Sequence, residues 1–534
     1  MDTDVLIVGA GPVGLTLAID LGRRGVRCTL IEQKTAPHMW PKMERCNARS
    51  MEIYRRLGLA EKIRDAGLPS DVPMDVFIVL SLAEPPLLHL PYPSVTEAKA
   101  EIAARNDGTL PREPYQLISQ YTLEPLLKSV AETLPSVTVR YGCEFISFTQ
   151  DANSVSAEVK SNGATSTIAA QYLIGCDGGT SSVRKQLDIK LAGEGNILQL
   201  RQALYRCDEL FDRIPIGKGR HYHVADSQST QLIVQDSTRH FTLHSVVKKD
   251  EDMAAMFEKA IAMPVQYEML YVGEWRQNLL VADRFMDRRV LLAGDAVHLM
   301  IPTGGLGMNT GVGDAIDLGW KLAATLQGWG GPGLLESYEF ERRRVGERNV
   351  GASRYASLGR RKWRAQWRPD IADNTPAGAA TRANLVAIAD VEQRKTNEMT
   401  GAELGYNYFG SPLIAAEPDE PFYDFIDYRP STVPGVRLPH AWLDDGRAVQ
   451  DCIGDGYTLI RVGGSKADTA GLAGAFRARG APFTALDLAG QAARDIYGFD
   501  LVLVRPDLHV VWRSNRPPEN PAKLAAAATG HRVA

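Results

Sequence analysis

The chain has 534 residues, 44% of them hydrophobic, and a formal net charge of -4; at about 100–200 residues per domain this length predicts about three domains, each with its own core. A mildly acidic balance excludes nucleic acid as the expected partner, because phosphate contacts need clustered Lys and Arg, and the short runs Arg342–Arg344 and Arg360–Lys362 read as solvated helix faces. The 6 cysteines form no CxxC pair and no zinc-type spacing, so free thiols in a reducing compartment and no metal are expected.

The first element is a strand over Asp4–Val8, entered so directly that no charged leader and cleavage site is expected. It feeds into Gly9-Ala10-Gly11-Pro12-Val13-Gly14; "LTLAIDLGRRG" then reads as a helix ending at Gly25, and "VRCTLIE" as a second strand ending at Glu32. A lone GxGxxG is weak. Between a strand and a helix, with an acidic residue closing the next strand about 20 residues on, it marks a dinucleotide site. Gly9 permits the tight turn, Gly11 lets a pyrophosphate reach the main chain, and Gly14 lets helix and strand pack closely. The helix N-terminus offers free N–H groups and about half a positive charge, and Glu32 is placed to accept hydrogen bonds from a ribose. The motif does not separate NAD from FAD.

Residues from about 70 to 110 and 190 to 285 interrupt this pattern with alternating runs such as "RHYHVAD", "TQLIVQD" and "YEMLYVGEW", predicting a sheet with one covered face. His221 and His223 share a face by alternation, and Tyr222, His244, Tyr271 and Trp275 lie on such strands. Two histidines with no third ligand nearby do not make a metal site; they line a pocket or sit on ordinary sheet surface. Between the two interruptions, "QYLIGCDGGTSSVRKQL" is a strand that stops at Asp177, with a helix begun by Ser181 or Ser182. Val290–Leu292 is a further strand, stopping at Gly294-Asp295 before a glycine-rich loop. One such aspartate is commonly a helix cap. Two of them, beyond the carboxyl ends of strands, lie where open α/β sheets bind ligands.

From Leu335 to about Glu398 the chain reads as long helices, followed by a Pro/Gly-rich linker at 428–443 and a tail with strand-like "YTLIRV" and "DLVLVRPDLHVVWR" around a helix. No apolar run reaches the ~18 residues of a membrane span. The expectation is a cytoplasmic protein with no membrane partner.

The N-terminal GxGxxG with Glu32, the central "GCDGGTSSVR" and the late "GDAVHLMIPTGGLGMNTGVGDAIDLGWKLA" resemble the class A flavoprotein aromatic hydroxylases, the single-component FAD monooxygenases of the 4-hydroxybenzoate and phenol hydroxylase type, over about residues 1–350. The resemblance implies an α/β fold. A Rossmann-like FAD-binding domain (1–70, 111–190 and 286–350) is interleaved with a β-sheet substrate domain (71–110 and 191–285). A helical segment and linker (351–430) lead to a thioredoxin-like C-terminal domain (431–534), which carries only Cys452 and cannot exchange dithiols.

The same resemblance implies tightly but non-covalently bound FAD, held by Gly9, Gly11, Pro12, Val13, Gly14, Glu32, Gln33, Lys42, Arg45, Gln120, Asp177, Asp295, Pro302, Gly305, Gly307, Met308 and Asn309. Asp295 would bond a ribityl or ribose hydroxyl, and Pro302 would lie against the ring near the reaction centre. The N–H groups of Gly307, Met308 and Asn309 would face the N1–C2 edge, stabilising negative charge on the reduced flavin. The segment from Trp40 into the following helix would run beneath the flavin, with Lys42 standing where the family commonly has arginine.

Glu44 falls where phenol hydroxylases place a carboxylate near the substrate. It is either a general base, its pKa raised by a dry pocket, or a surface glutamate paired with Arg45 or Arg49. Glu44 and Pro302 are the expected catalytic residues, with His223, His244 and Tyr271 lining the substrate pocket.

The implied activity is hydroxylation of a small phenolic substrate with NAD(P)H and O2, through a flavin C4a-hydroperoxide. No second GxGxxG stands between a strand and a helix, so NADH or NADPH is expected as a transient co-substrate. The same scaffold also supports epoxidation, Baeyer–Villiger insertion or antibiotic inactivation, and a non-catalytic flavoprotein that binds aromatics is the alternative of another class. A homodimer is compatible with the resemblance.

Overall fold

The computed structural model describes residues 1–38, 42–465 and 467–532; Trp40 and Pro41 lie outside them. Short, almost wholly apolar runs such as "VLIV" and "VLL" suit strands covered on both faces. They form the parallel core of the main sheet: β1 (Thr3–Val8), β2 (Cys28–Glu32), β3 (Val137–Tyr141), β4 (Ala164–Gly175) and β5 (Val290–Leu292). Their spatial order is β5-β4-β1-β2-β3, every neighbouring pair parallel. The carboxyl ends of β1, β2, β4 and β5 deliver Gly9, Glu32, Asp177 and Asp295 to one edge.

Two helices cover this edge: α1 (Pro12–Arg23), opened by a proline at its first turn, and α2 (Gly307–Leu326). They approach closely because glycines stand where they meet. A Cβ on Gly311 would come within 2.5 Å of Val13 Cγ2, and one on Gly319 within 2.0 Å of Asp20 Oδ2. The 33-residue helix α3 (Pro332–Arg364) then runs from the FAD-side core, where Tyr338 packs, to the second sheet, where Trp363 packs with Ile78 and Ala225.

A second sheet has the order Glu268–Arg276, Gln199–Arg206, His240–Ser245, Gln231–Val234, His221–Val224, Val76–Val79, Leu88–Leu90. Period-2 alternation sorts its side chains. Tyr222, Leu232, Val234, Phe241 and Leu243 pack on Met253 and Phe257 of the helix Asp252–Ile261. His221, Gln231, Ile233, Thr242 and His244 turn the other way, toward the main sheet.

The C-terminal sheet runs Phe483–Leu488, Tyr457–Val462, Leu501–Val504, Val510–Ser514, with only its first pair parallel. With the helices Ala470–Arg477, Gln491–Tyr497 and Pro521–Ala528 this is the βαβ-then-ββα order of a thioredoxin-like unit. It shares a core with α2, through Trp320 against Tyr457. Beside that core lies a buried ion cluster: Arg505 donates to Glu341, Asp317 and Asp507, and Lys321 donates to Asp317 and Glu341. Ions taken out of water are tolerable only when paired this completely.

Candidate active site

One cavity of about 1020 Å3 opens between the carboxyl ends of the parallel strands and the inward face of the second sheet. Nearly all the residues expected to hold a dinucleotide border it: Gly9, Gly11, Pro12, Val13, Glu32, Gln33, Lys42, Arg45, Gln120, Asp177, Asp295, Pro302, Gly305, Gly307, Met308 and Asn309. Gly14 does not. A Cβ there would meet Gly9 O at 2.1 Å and Cys176 Cβ at 3.3 Å, so this glycine serves packing. At Gly11 the nearest atom to an added Cβ is Glu124 Oε1 at 4.0 Å, and at Gly307 there is none within 4 Å. These two keep bare backbone facing open space.

The polar groups around that space are already set. Glu32 Oε2 accepts from Ala10 N at 3.0 Å and Oε1 from Lys34 N at 3.0 Å, which ties the glycine turn to the end of β2 and leaves lone pairs outward. Asp177 Oδ2 caps a short helix, accepting from Ser182 N at 2.7 Å and Val183 N at 3.1 Å, while its Oδ1 is buried without a partner. One oxygen of this aspartate thus caps a helix, and the other is left without a partner beside the cavity. Asp295 is exposed to the cavity. α2 has no side-chain cap, so the N–H groups of Gly307, Met308 and Asn309 belong to a first turn without intrahelical acceptors.

The Asn309 side chain is spent on architecture: Oδ1 accepts from Asn47 N at 2.9 Å and Nδ2 donates to Gly305 O at 2.6 Å. Arg45 Nη2 donates to Gly304 O at 2.5 Å and pairs with Glu403. Gly304 and Gly305 have φ of +91° and +64°, a conformation favouring glycine. Open amides at two helix starts, an orphan carboxylate oxygen and Glu32 at the tip of β2 together fit the FAD that the resemblance implies.

The substrate-side expectations need corrections. Glu44 is not a surface residue paired with Arg45 or Arg49, which meet Glu403 and Glu52 instead. It borders the cavity, with Oε1 2.8 Å from His221 Nε2. Nor is its pKa raised: burial pushes it up, but His221, Arg220 and Arg45 outweigh burial and hold it at about 2. Burial, together with the Arg220 and Arg360 guanidiniums, outweighs Glu44 and keeps His221 below its ordinary value. The imidazole is therefore neutral and donates Nε2–H to an ionised carboxylate. His244 borders the cavity and is held at about 4, chiefly by burial.

His223 and Tyr271 do not line the cavity. His223 shares the face of His221, but Gln393 Nε2 at 3.1 Å and the Trp363 ring cover it completely. Tyr271 stands on the outermost strand, its hydroxyl over Gly273. The basic runs are solvated faces only in part: Arg344, Arg361 and Lys362 are exposed, Arg342 and Arg360 are not. Arg342 is 1% exposed and donates to Asp314 Oδ1 at 2.8 Å, and Arg360 borders the cavity. Asp314 Oδ2 accepts from Gly294 N at 3.0 Å and pairs with His298 at 2.7 Å, fixing the loop that carries Asp295. Asp314 was legible only as part of the "GVGDAIDLG" run. Arg220, Arg360 and Arg364, which also border the cavity, gave no local signal. Among the described residues no group of three or more His, Cys, Asp or Glu is placed to hold a metal ion, and no helix is long and apolar enough to cross a membrane.

Residues 2–353 match the family described as FAD binding domain, and residues 431–531 that described as aromatic-ring hydroxylase, C-terminal. The chain is 34% identical to the FAD-dependent monooxygenase apdD of Emericella nidulans, across 98% of this chain and 90% of that protein. Among solved structures, chromopyrrolic acid-soaked RebC with bound 7-carboxy-K252c matches with a TM-score of 0.91 at 32% identity, over 99% of both chains. The ternary complex of aklavinone-11 hydroxylase with FAD and aklavinone matches with a TM-score of 0.83 at 26% identity, over 99% of this chain and 98% of that one.

Proposed function

Since the chain belongs to the FAD-dependent aromatic-ring hydroxylases, we propose that it hydroxylates a phenolic ring beside Glu44, with NADH or NADPH as electron donor and O2 as oxygen source. It is an FAD-dependent monooxygenase of aromatic or polyketide substrates. What supports the finer assignment is continuity: Gly11, Asp295, Gly307 and Glu44 all border a single cavity.

Bound FAD supplies the redox chemistry, with electrons from NAD(P)H and one atom of O2 delivered to the ring while the other leaves as water. The protein's residues bind and orient. The α1 N-terminus takes the diphosphate over Gly11, Glu32 the adenosine ribose, and Asp177 and Asp295 further hydroxyls. The N–H groups of Gly307, Met308 and Asn309 stabilise negative charge at the flavin edge. Pro302, Gln120, Lys42 and Arg45 would border the ring and its approaches, and Gln33 the adenosine end beside Glu32. Glu44, already ionised, accepts a hydrogen bond from the phenol and enriches the ring in electrons without taking its proton, while His221 holds the carboxylate in place. We assign FAD binding to 1–70, 111–190 and 286–350, the substrate roof to 71–110 and 191–285, and docking to 431–534, with 351–430 connecting them.

The test is phenol-stimulated NADH or NADPH oxidation by FAD-loaded enzyme, with product formed under labelled O2. One labelled oxygen in a ring hydroxyl is expected. A protein that takes up no FAD, or an unlabelled product, overturns the assignment. A second reading, oxygenation of something larger than a simple phenol, is favoured by the cavity's size and by the likeness to RebC and aklavinone-11 hydroxylase, which bind 7-carboxy-K252c and aklavinone. The same labelling with fused-ring substrates distinguishes the two.

A further inference from the structure

The loop that carries Asp295 and the first turn of α2 are held from behind by one buried ion pair. Asp314 Oδ2 accepts from Gly294 N at 3.0 Å and lies 2.7 Å from His298 Nε2, while Oδ1 accepts from Arg342 Nε at 2.8 Å. The other two nitrogens of that guanidinium reach different elements. Nη2 donates to Thr310 O in α2 at 2.9 Å, and Nη1 donates to Tyr408 Oη at 3.1 Å. Gly313 makes room for this: a Cβ there would come within 2.7 Å of Arg342 Nη2.

Tyr408 is stitched to the C-terminal unit. Its N donates to Gly435 O at 2.9 Å, and Gly435 N donates to Val510 O at 2.7 Å, on the strand Val510–Ser514. Its ring packs on His509 with centroids 4.2 Å apart, and Arg505 Cζ stands 4.5 Å from the ring centre. Asp507 pairs with both Arg505 and His509. The Asp507 carbonyl accepts from Arg49 Nη2 at 2.7 Å, in the helix Ala48–Arg56. That helix is capped by Asn47, whose N donates to Asn309 Oδ1 in the first turn of α2. Asp314, Arg342, Tyr408, Arg505, Asp507 and His509 are all at most 4% exposed.

We propose that the C-terminal unit is a positioning element of the flavin site: through Tyr408, Arg342 and Asp314 it fixes the Gly294 amide, and with it Asp295 and the start of α2. A buried ion pair adds little stability over packed apolar side chains. What it adds here is direction, because a planar guanidinium holds three partners in one fixed geometry. Amides aimed at negative charge on a reduced flavin act only while that aim is kept. A lapse along this route therefore loosens reduced flavin more than oxidised flavin, and the potential of the bound cofactor falls. The inference rests on FAD binding and is independent of which ring is hydroxylated. Arg342 and Tyr408 are positioning residues, since they act through Asp314 and Thr310.

The test compares variants of the full-length, FAD-loaded enzyme by flavin titration, by the midpoint potential of bound flavin and by Tm. Tyr408→Phe keeps the ring on His509 and removes the oxygen that Arg342 grips. Asp507→Asn keeps the shape and loosens Arg505 and His509. Tyr497→Phe is the control: it removes a buried C-terminal hydroxyl that donates to Pro439 O at 3.1 Å, off this route. Tyr408→Phe is expected to weaken FAD binding about threefold or more, the scale of one hydrogen bond to a charged group. Its midpoint potential is expected to fall by about 15 mV or more, a threefold change at about 30 mV per tenfold for a two-electron couple. Asp507→Asn shifts both in the same direction, and the double variant loses less than the product of the single losses, as residues of one network do. Tyr497→Phe lowers Tm alone. Unchanged affinity and potential in Tyr408→Phe, an equal effect of Tyr497→Phe, or single losses that simply multiply overturns the proposal.

Discussion

Glu44 and His221, 177 residues apart in the chain, meet across the cavity with Oε1 and Nε2 separated by 2.8 Å. The carboxylate comes from the segment leading into the helix Ala48–Arg56 and the imidazole from the roofing sheet. One hydrogen bond therefore links the cofactor layer to the substrate layer at the point where the ring is expected to lie.

Glu44→Gln preserves a hydrogen bond from His221 but removes the charge. Flavin content is expected to stay normal while hydroxylation of a phenolic substrate slows about tenfold or more, the scale of losing one charge-assisted hydrogen bond. Single-turnover product formation at neutral pH checks this, and an unchanged rate retires Glu44 from the chemistry.

The pH dependence follows from the signs. The Glu44 carboxyl, held at about 2, is ionised at every pH well above that, and the His244 imidazole, held at about 4, is neutral above it. Neither group changes charge between about pH 5 and 8. The profiles of kcat/KM for the natural chain and for Glu44→Gln are therefore expected to share one shape over that window. A limb near pH 6 that disappears in the variant would mean that the carboxyl is raised after all.

Two glycines of one motif are expected to fail differently. Gly11→Ala has room within the fold and obstructs the space above the turn, so FAD affinity falls about tenfold or more with the Tm of the apoprotein little changed. Gly14→Ala drives a methyl group into the Gly9 carbonyl, 2.1 Å away, and lowers Tm first. Thermal melts and flavin titrations of both variants separate the outcomes; identical behaviour contradicts the division of labour.

Arg505→Met leaves Glu341 and Asp317 with Lys321 as their one cation of the buried set, beside the Ser411 hydroxyl on Glu341. Breaking a buried ionic set in this way costs about 3–5 kcal/mol. Hydrogen exchange is expected to rise in the C-terminal sheet and in α2 together, and a rise confined to the C-terminal sheet would show that the two do not share stability.

Much of the cofactor side was legible because its signals are local. A strand, a glycine turn and an acidic residue closing the next strand are adjacent in sequence, and backbone that must stay bare announces itself as glycine. The substrate side is assembled from afar. Arg360 reads as a solvated face because it stands in a short run of charged residues, and its neighbours Arg361 and Lys362 are indeed exposed; only the length of α3 carries its end over the cavity. His223 lies on the face that alternation predicts and Tyr271 on a strand of the expected sheet, yet one is roofed by Trp363 and Gln393 and the other stands on the outermost strand. Periodicity gives the side of a sheet and not the extent of the hollow beneath it.

The ion cluster around Arg505 also restricts how such a chain can be recombined. Its members come from α2, α3 and the strand–turn after Leu501–Val504, so a chimera that exchanges the C-terminal unit inherits half a set of charges. Asp317, Lys321, Glu341 and Arg505 must travel as a quartet, and a library of swapped tails is expected to yield folded hybrids only where both parents already spell those four positions alike.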